Sequence, residues 1–243
     1  MTISEKIYSG KKQLAILVDP DKTTNELQFA ELLPRINALK PDYIFVGGST
    51  VNVSSFSSCI QYIKDHTKIP VVIFPGSYNQ VHPKADAILF LTLISGRNPD
   101  YLIGHHVEAA PVLKAMQTEI IPTGYLLIDG GKNSSVQYVS QTTPIPPDQY
   151  NIAANTALAG EMLGVKAIFL DAGSGALNPV SAEMISAVKK QIHVPLIIGG
   201  GIKTAKQAEM AFNAGANILV IGNKIEEDPD FLLDLMHIKT LYK

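Results

Sequence analysis

Two apolar runs late in the chain break into glycine at the same relative place. Leu196-Ile197-Ile198 runs into Gly199-Gly200-Gly201-Ile202-Lys203-Thr204, and Ile218-Leu219-Val220-Ile221 runs into Gly222-Asn223. Runs this short and this β-branched suit strands buried on both faces of a parallel sheet. Between them Thr204 can cap a helix over 205–214, which Gly215 closes. The unit is therefore strand, glycine turn, helix, strand, glycine turn. Glycines at a strand end let backbone N–H groups crowd around an anion, and the following helix N-terminus adds partial positive charge. In a (βα)8 TIM barrel the loops after strands seven and eight are where a phosphate sits. Taken alone, Gly199 to Gly201 also suit a plain turn; their place in the order of elements favours the phosphate.

The rest of the chain supplies the other strands of such a barrel. A short helix or cap fits the first ten residues. Strands are expected at 14–18, 43–46, 71–74, 87–91, 119–128 and 167–170, before the two already described. Helical spacing is expected over 25–39, 54–65, 100–116, 149–163, 180–191 and 230–239. Only Ser77 to Asp86 separate the third strand from the fourth. Ten residues that include Asn79 and Pro83 are too few for a normal crossover helix, so one outer helix is missing or replaced there. Residues 129–148 form a long loop of functional character. One domain, 1–243, with α/β barrel architecture is the economical reading, and 243 residues match the size of one such barrel.

Composition removes several function classes. A net charge of −2 with no long basic tract argues against a nucleic-acid partner. One cysteine, Cys59, allows neither a disulfide framework nor a cysteine zinc site within the chain. The start lacks the apolar core of a signal peptide, and no apolar stretch is long enough to cross a bilayer, so a cytoplasmic protein is expected.

In barrels of this kind the active site lies at the C-terminal strand ends. The residues placed there include Asp19, Asp21, Lys22, Ser49, Thr50, Arg97, Asn98, Asp129, Asp171, Ser174, Gly200, Gly201, Gly222 and Asn223. Oxygen donors predominate, which suits magnesium and hence a phosphate-bearing substrate. Asp19 is the best candidate ligand, and a turn role before Pro20 suits it equally. Asp171 is placed to act as a general base towards a hydroxyl, and an Asp turn is the alternative. His105 and His106 fall inside a helix and read as surface or packing residues, as Tyr125 reads as core.

Seven ordered motifs resemble the geranylgeranylglyceryl phosphate synthase family, whose relatives include the heptaprenylglyceryl phosphate synthases. They are Asp19-Pro20-Asp21-Lys22, Val46-Gly47-Gly48-Ser49-Thr50, Ser95-Gly96-Arg97-Asn98-Pro99, Ile121-Pro122-Thr123-Gly124-Tyr125, Leu170-Asp171-Ala172-Gly173-Ser174-Gly175-Ala176, Gly199-Gly200-Gly201-Ile202 and Ile221-Gly222-Asn223. The resemblance runs from about residue 14 to 235 and extends to the shortened segment after strand three.

The resemblance implies transfer of a prenyl group from an allylic diphosphate to the 3-hydroxyl of sn-glycerol 1-phosphate. It implies Mg²⁺ on Asp19 and Ser49. It implies glycerol phosphate on Phe169, Leu170, Asp171, Ala172, Gly173, Ser174, Gly175, Gly200, Gly201, Gly222 and Asn223, with Asp171 as the catalytic base. A homo-oligomer is expected, and a transient membrane-surface contact would suit a substrate dissolved there. Where the family usually carries Tyr-x-Glu, this chain carries Phe169-Leu170-Asp171, with no hydroxyl and an acid one methylene shorter. The alternatives are a longer prenyl donor, another phosphate-binding barrel enzyme, and a barrel that binds such ligands without turning them over.

Overall fold

A computed structural model describes residues 2–21, 26–222, 224–225, 228 and 230–242, except for the side chains of 26–30. Eight parallel strands close into a barrel in sequence order. They are β1 (Gln13–Val18), β2 (Tyr43–Val46), β3 (Val71–Ile73), β4 (Ala87–Leu93), β5 (Glu119–Leu127), β6 (Ala167–Asp171), β7 (Leu196–Gly199) and β8 (Ile218–Ile221). The register between β1 and β8, from Gln13↔Ile218 to Ile16↔Ile221, completes the ring.

Strand alternation divides the apolar residues into two cores. Ala15, Phe45, Leu89, Tyr125, Phe169 and Val220 point into the barrel. Leu14, Ile16, Ile44, Leu170 and Ile198 point outward and meet the helices. The outer helices present matching stripes. In α3 (Val53–His66) Phe56, Cys59, Ile60 and Ile63 are buried, and Asn52 caps the first turn by accepting from Ser54 N–H. In α7 (Ala182–Gln191) the buried stripe is Met184, Ile185 and Val188. Helix α8 (Ala205–Ala214) has the expected Thr204 capping box and closes on Gly215 in the left-handed region. Further helices are α1 (Ile3–Ile7), α2 (Glu26–Leu39), α4 (His105–Ala115), which a π-helical turn (Asp100–Gly104) leads into, α5 (Ser135–Ser140), α6 (Tyr150–Met162) and α9 (Phe231–Thr240).

Three details bear on function. First, α1 closes the bottom of the barrel. Its Ile7 joins the inner core, and the N–H groups of Ile3 and Ser4 donate to the Glu119 carboxylate. Second, no helix lies between β3 and β4; residues 74–86 form turns instead. Third, the long loop after β5 carries α5, capped by Ser134, which the sequence did not reveal. A bridge between Ile128 and Ile145 ties that loop back to the sheet. No helix among the described residues is long and apolar enough to cross a membrane.

Candidate active site

A cavity of about 530 Å³ opens at the C-terminal ends of the strands. Its walls come from both cores. Phe74, Leu91, Tyr125 and Phe169 line it from inside the barrel, whereas Ile88 and Phe90 line it from the outer face of β4. The missing helix makes that continuity possible. The cavity runs from the barrel mouth through the gap, where Val81, His106 and Ala109 add an apolar wall.

Asp171 ends β6 with its side chain turned inward, two residues after Phe169 on the same face. It is 8% exposed. The Tyr125 hydroxyl donates to Oδ2 at 2.6 Å and the Gly173 N–H donates to Oδ1 at 2.7 Å. Burial pushes the carboxyl above the ordinary carboxylate range, and the two donors pull against that rise. The same burial, with the carboxylate beside it, pushes the Tyr125 phenol well up, so it stays a donor. Phe169 packs beneath, stacked on Phe74 with ring centroids 5.1 Å apart and edge-on to Tyr125 at 5.5 Å. The carboxylate thus stands on an aromatic floor, held at both oxygens and facing the cavity.

The glycine cradle is built directly against this acid. Gly200 and Gly201 have φ of +80° and +72°, a region that side chains rarely tolerate. A Cβ on Gly200 would lie 2.7 Å from both Asp171 Oδ1 and Gly173 N. Gly173, Ser174, Gly175 and Gly222 line the same end of the cavity, as do Lys132, Lys203 and Lys224. Lys224 also pairs with Asp228 at 3.2 Å. Close backbone and positive side chains suit a bound phosphate.

On the opposite side Asp19, Gly48, Ser49 and Thr50 line the cavity at the ends of β1 and β2. Asp19 Oδ1 accepts the Asp21 N–H at 3.1 Å, so the turn role and the cavity-facing position coexist. Among the described residues no three His, Cys, Asp or Glu side chains come together as a metal-binding group. One carboxylate and one hydroxyl are a hard-oxygen set too small to enclose a cation. That suits Mg²⁺, which keeps waters and shares its coordination with substrate phosphates.

The sequence profile of the PcrB family matches residues 7–240. The geranylgeranylglyceryl phosphate synthase of Chitinophaga pinensis is 50% identical over 226 residues, covering 93% of this chain and 89% of that protein. That of Korarchaeum cryptofilum is 36% identical over the full length of both. This chain belongs to the PcrB family. A solved structure similar to it is (S)-3-O-geranylgeranylglyceryl phosphate synthase from Thermoplasma acidophilum, in complex with sn-glycerol-1-phosphate. The two superpose with a TM-score of 0.92 at 33% identity, over 100% of this chain and 99% of the other.

The PcrB-family barrel brings most of the expected residues to one cavity. Asp19, Ser49, Phe169, Asp171, Gly173, Ser174, Gly175, Gly200, Gly201 and Gly222 all line it. Leu170 and Ala172 do not. Both are buried in the outer core, because alternate residues of a strand and its extension point to opposite faces. Lys22 and Asn223 lie outside the described residues. Arg97, Asn98 and Asp129 serve the scaffold: Arg97 donates to the Gly96 carbonyl, Asn98 to the Ser140 carbonyl, and Asp129 accepts from Gly131 N–H.

Other cavity residues escaped the sequence reading. Tyr125 is core, as expected, yet it also grips Asp171. His106 is a packing residue, as expected, but it packs against the groove. Its ring meets Phe90 edge-on at 4.4 Å, its Nε2 lies 3.1 Å from Thr92 Oγ1, and burial pushes its pKa down, leaving it neutral. Lys203 could have been found from its place right after the glycine turn; Lys132 and Lys224 carry no comparable signal.

Proposed function

We propose that this chain joins sn-glycerol 1-phosphate to geranylgeranyl diphosphate through an ether bond and releases diphosphate. The observation that carries the reading is the continuity of one cavity. It begins at a buried carboxylate welded to a glycine cradle, passes Asp19 and Ser49, and ends in an apolar groove on the outside of the barrel.

Glycerol phosphate sits with its phosphate against Gly200, Gly201, Ser174 and Gly222, where Lys203 and Lys224 oppose its charge. With that end fixed, its free hydroxyl is directed at Asp171. The hydroxyl oxygen forms a bond to C1 of the allylic chain as the C1–O bond to diphosphate breaks. The electron pair of that bond leaves with the diphosphate, and the hydroxyl proton passes to Asp171. Burial makes this carboxylate a stronger base than an exposed one, and Tyr125 and Gly173 prevent its rotation. Asp19 and Ser49 would hold Mg²⁺, which supplies positive charge against the leaving diphosphate. The prenyl tail lies along Val81, Ile88, Phe90 and Ala109, and the aromatic floor excludes water from the reacting carbon.

The groove opens onto the barrel's outer surface, so a longer prenyl diphosphate is the second donor to test. The test is product formation from labelled glycerol phosphate of each enantiomer, with donors of increasing length, with and without chelator. Product from the sn-1 enantiomer alone, lost on chelation, supports both the reaction and Mg²⁺. Product that persists in chelator would remove the metal from the proposal.

A further inference from the structure

The segment that replaces the missing helix carries a buried amide. Gln80 is 1% exposed, and both ends of its side chain are used. Its Oε1 accepts the Gly76 N–H at 2.8 Å, and its Nε2 donates to the Gly48 carbonyl at 3.2 Å. Gly76 follows β3 and Gly48 follows β2, so this one amide staples two adjacent cavity loops. The loops touch without side chains between them. A Cβ on Gly76 would collide with the Gly48 carbonyl oxygen and lie 2.7 Å from Ser49 Cα. The Gly48 position in turn lies against the Asp19 carboxylate, with a Cβ there 3.7 Å from Oδ1. Gln80 itself does not line the cavity.

We infer that Gln80 is a positioning residue for the diphosphate half of the site. It acts through the Gly48 carbonyl and Gly76 N–H to hold Ser49 beside Asp19. The inference rests on the prenyltransferase reading, which assigns the diphosphate to that side. The glycerol phosphate cradle is built from the loops after β6, β7 and β8 and shares no contact with Gln80. Loss of the amide should therefore weaken one substrate and spare the other, which a general loss of stability would not do.

The experiment is titration calorimetry on the full chain with two probes, inorganic diphosphate in the presence of Mg²⁺ and sn-glycerol 1-phosphate. Gln80→Met keeps the side-chain length and removes both hydrogen bonds. It should weaken diphosphate at least tenfold and change glycerol phosphate affinity less than twofold. Gln80→Glu provides a second handle should the first variant fold poorly. Its carboxylate opposes the Gly48 carbonyl at pH 8, whereas its protonated form at pH 5 can donate there as the amide does. Weak diphosphate binding at pH 8 that recovers towards the wild-type value at pH 5 is the expected signature. Equal diphosphate affinity in wild type and Gln80→Glu at both pH values would overturn the inference, as would parallel loss of both ligands in Gln80→Met. Wild-type turnover measured on the same preparation separates this from the reaction itself. If the wild type binds both probes but makes no ether, the reaction assignment fails while the role of Gln80 still stands or falls on the titrations.

Discussion

The Tyr125 hydroxyl donates to Asp171 Oδ2 across the β5–β6 ladder at 2.6 Å, with both side chains buried at the cavity wall. Register makes the meeting possible: Tyr125 stands beside Phe169 and Leu127 beside Asp171, so the phenol leans one inward position along. A donor to the charged form lowers a carboxyl's pKa, so removing it adds to the rise that burial already causes. In Tyr125→Phe the acidic limb of the pH–rate profile therefore moves to higher pH. At pH 6 kcat/KM falls about tenfold, the order expected for one lost charge-assisted hydrogen bond. A pH profile of kcat/KM for both proteins checks the direction.

Asp171→Asn keeps the shape and removes the base. Turnover should fall by about 10²–10⁴, the usual contribution of a positioned general base, while glycerol phosphate affinity stays within a few-fold. Its remaining activity should also lose the acidic limb. Steady-state kinetics paired with calorimetry separates the two effects.

Gly200→Ala places a methyl group in a left-handed backbone position, which costs about 1–2 kcal/mol before any contact is counted. The methyl also meets Asp171 Oδ1 and Gly173 N. Binding and base are disturbed together, so glycerol phosphate affinity and kcat should both fall at least tenfold. Direct titration of glycerol phosphate reads the first and initial rates the second.

Ala109 lines the groove from α4, as Ile88 and Phe90 do from β4. In Ala109→Phe the groove is shortened, and preference should move to shorter prenyl donors with the glycerol phosphate KM unchanged. Competition between donors of two lengths in one reaction shows the shift; an unchanged product ratio would place the tail elsewhere.

Strand periodicity made the barrel legible, because each strand announces itself as a short β-branched run that ends in glycine or a polar turn. The absent helix was legible too, since ten residues cannot build a crossover. Helix α5 was not: six residues with one buried side chain, Ser140, leave no apolar stripe to read. Leu170 and Ala172 belong to a contiguous motif, but strand alternation buries both in the outer core, whereas Ser174 in the turn beyond still lines the cavity. Tyr125, Gln80 and His106 could not be placed in the site from sequence. Their roles depend on strand register and on loops that approach one another only after the barrel closes.

The account is tested most directly by following the glycerol oxygen. Enzyme, Mg²⁺ and geranylgeranyl diphosphate are mixed with sn-glycerol 1-phosphate carrying ¹⁸O in the C3 hydroxyl, and the products are analysed by mass. Attack by a hydroxyl that Asp171 deprotonates predicts an ether lipid phosphate that retains the label and unlabelled diphosphate. Label in the diphosphate, or no ether with any prenyl donor although glycerol phosphate binds, would contradict it.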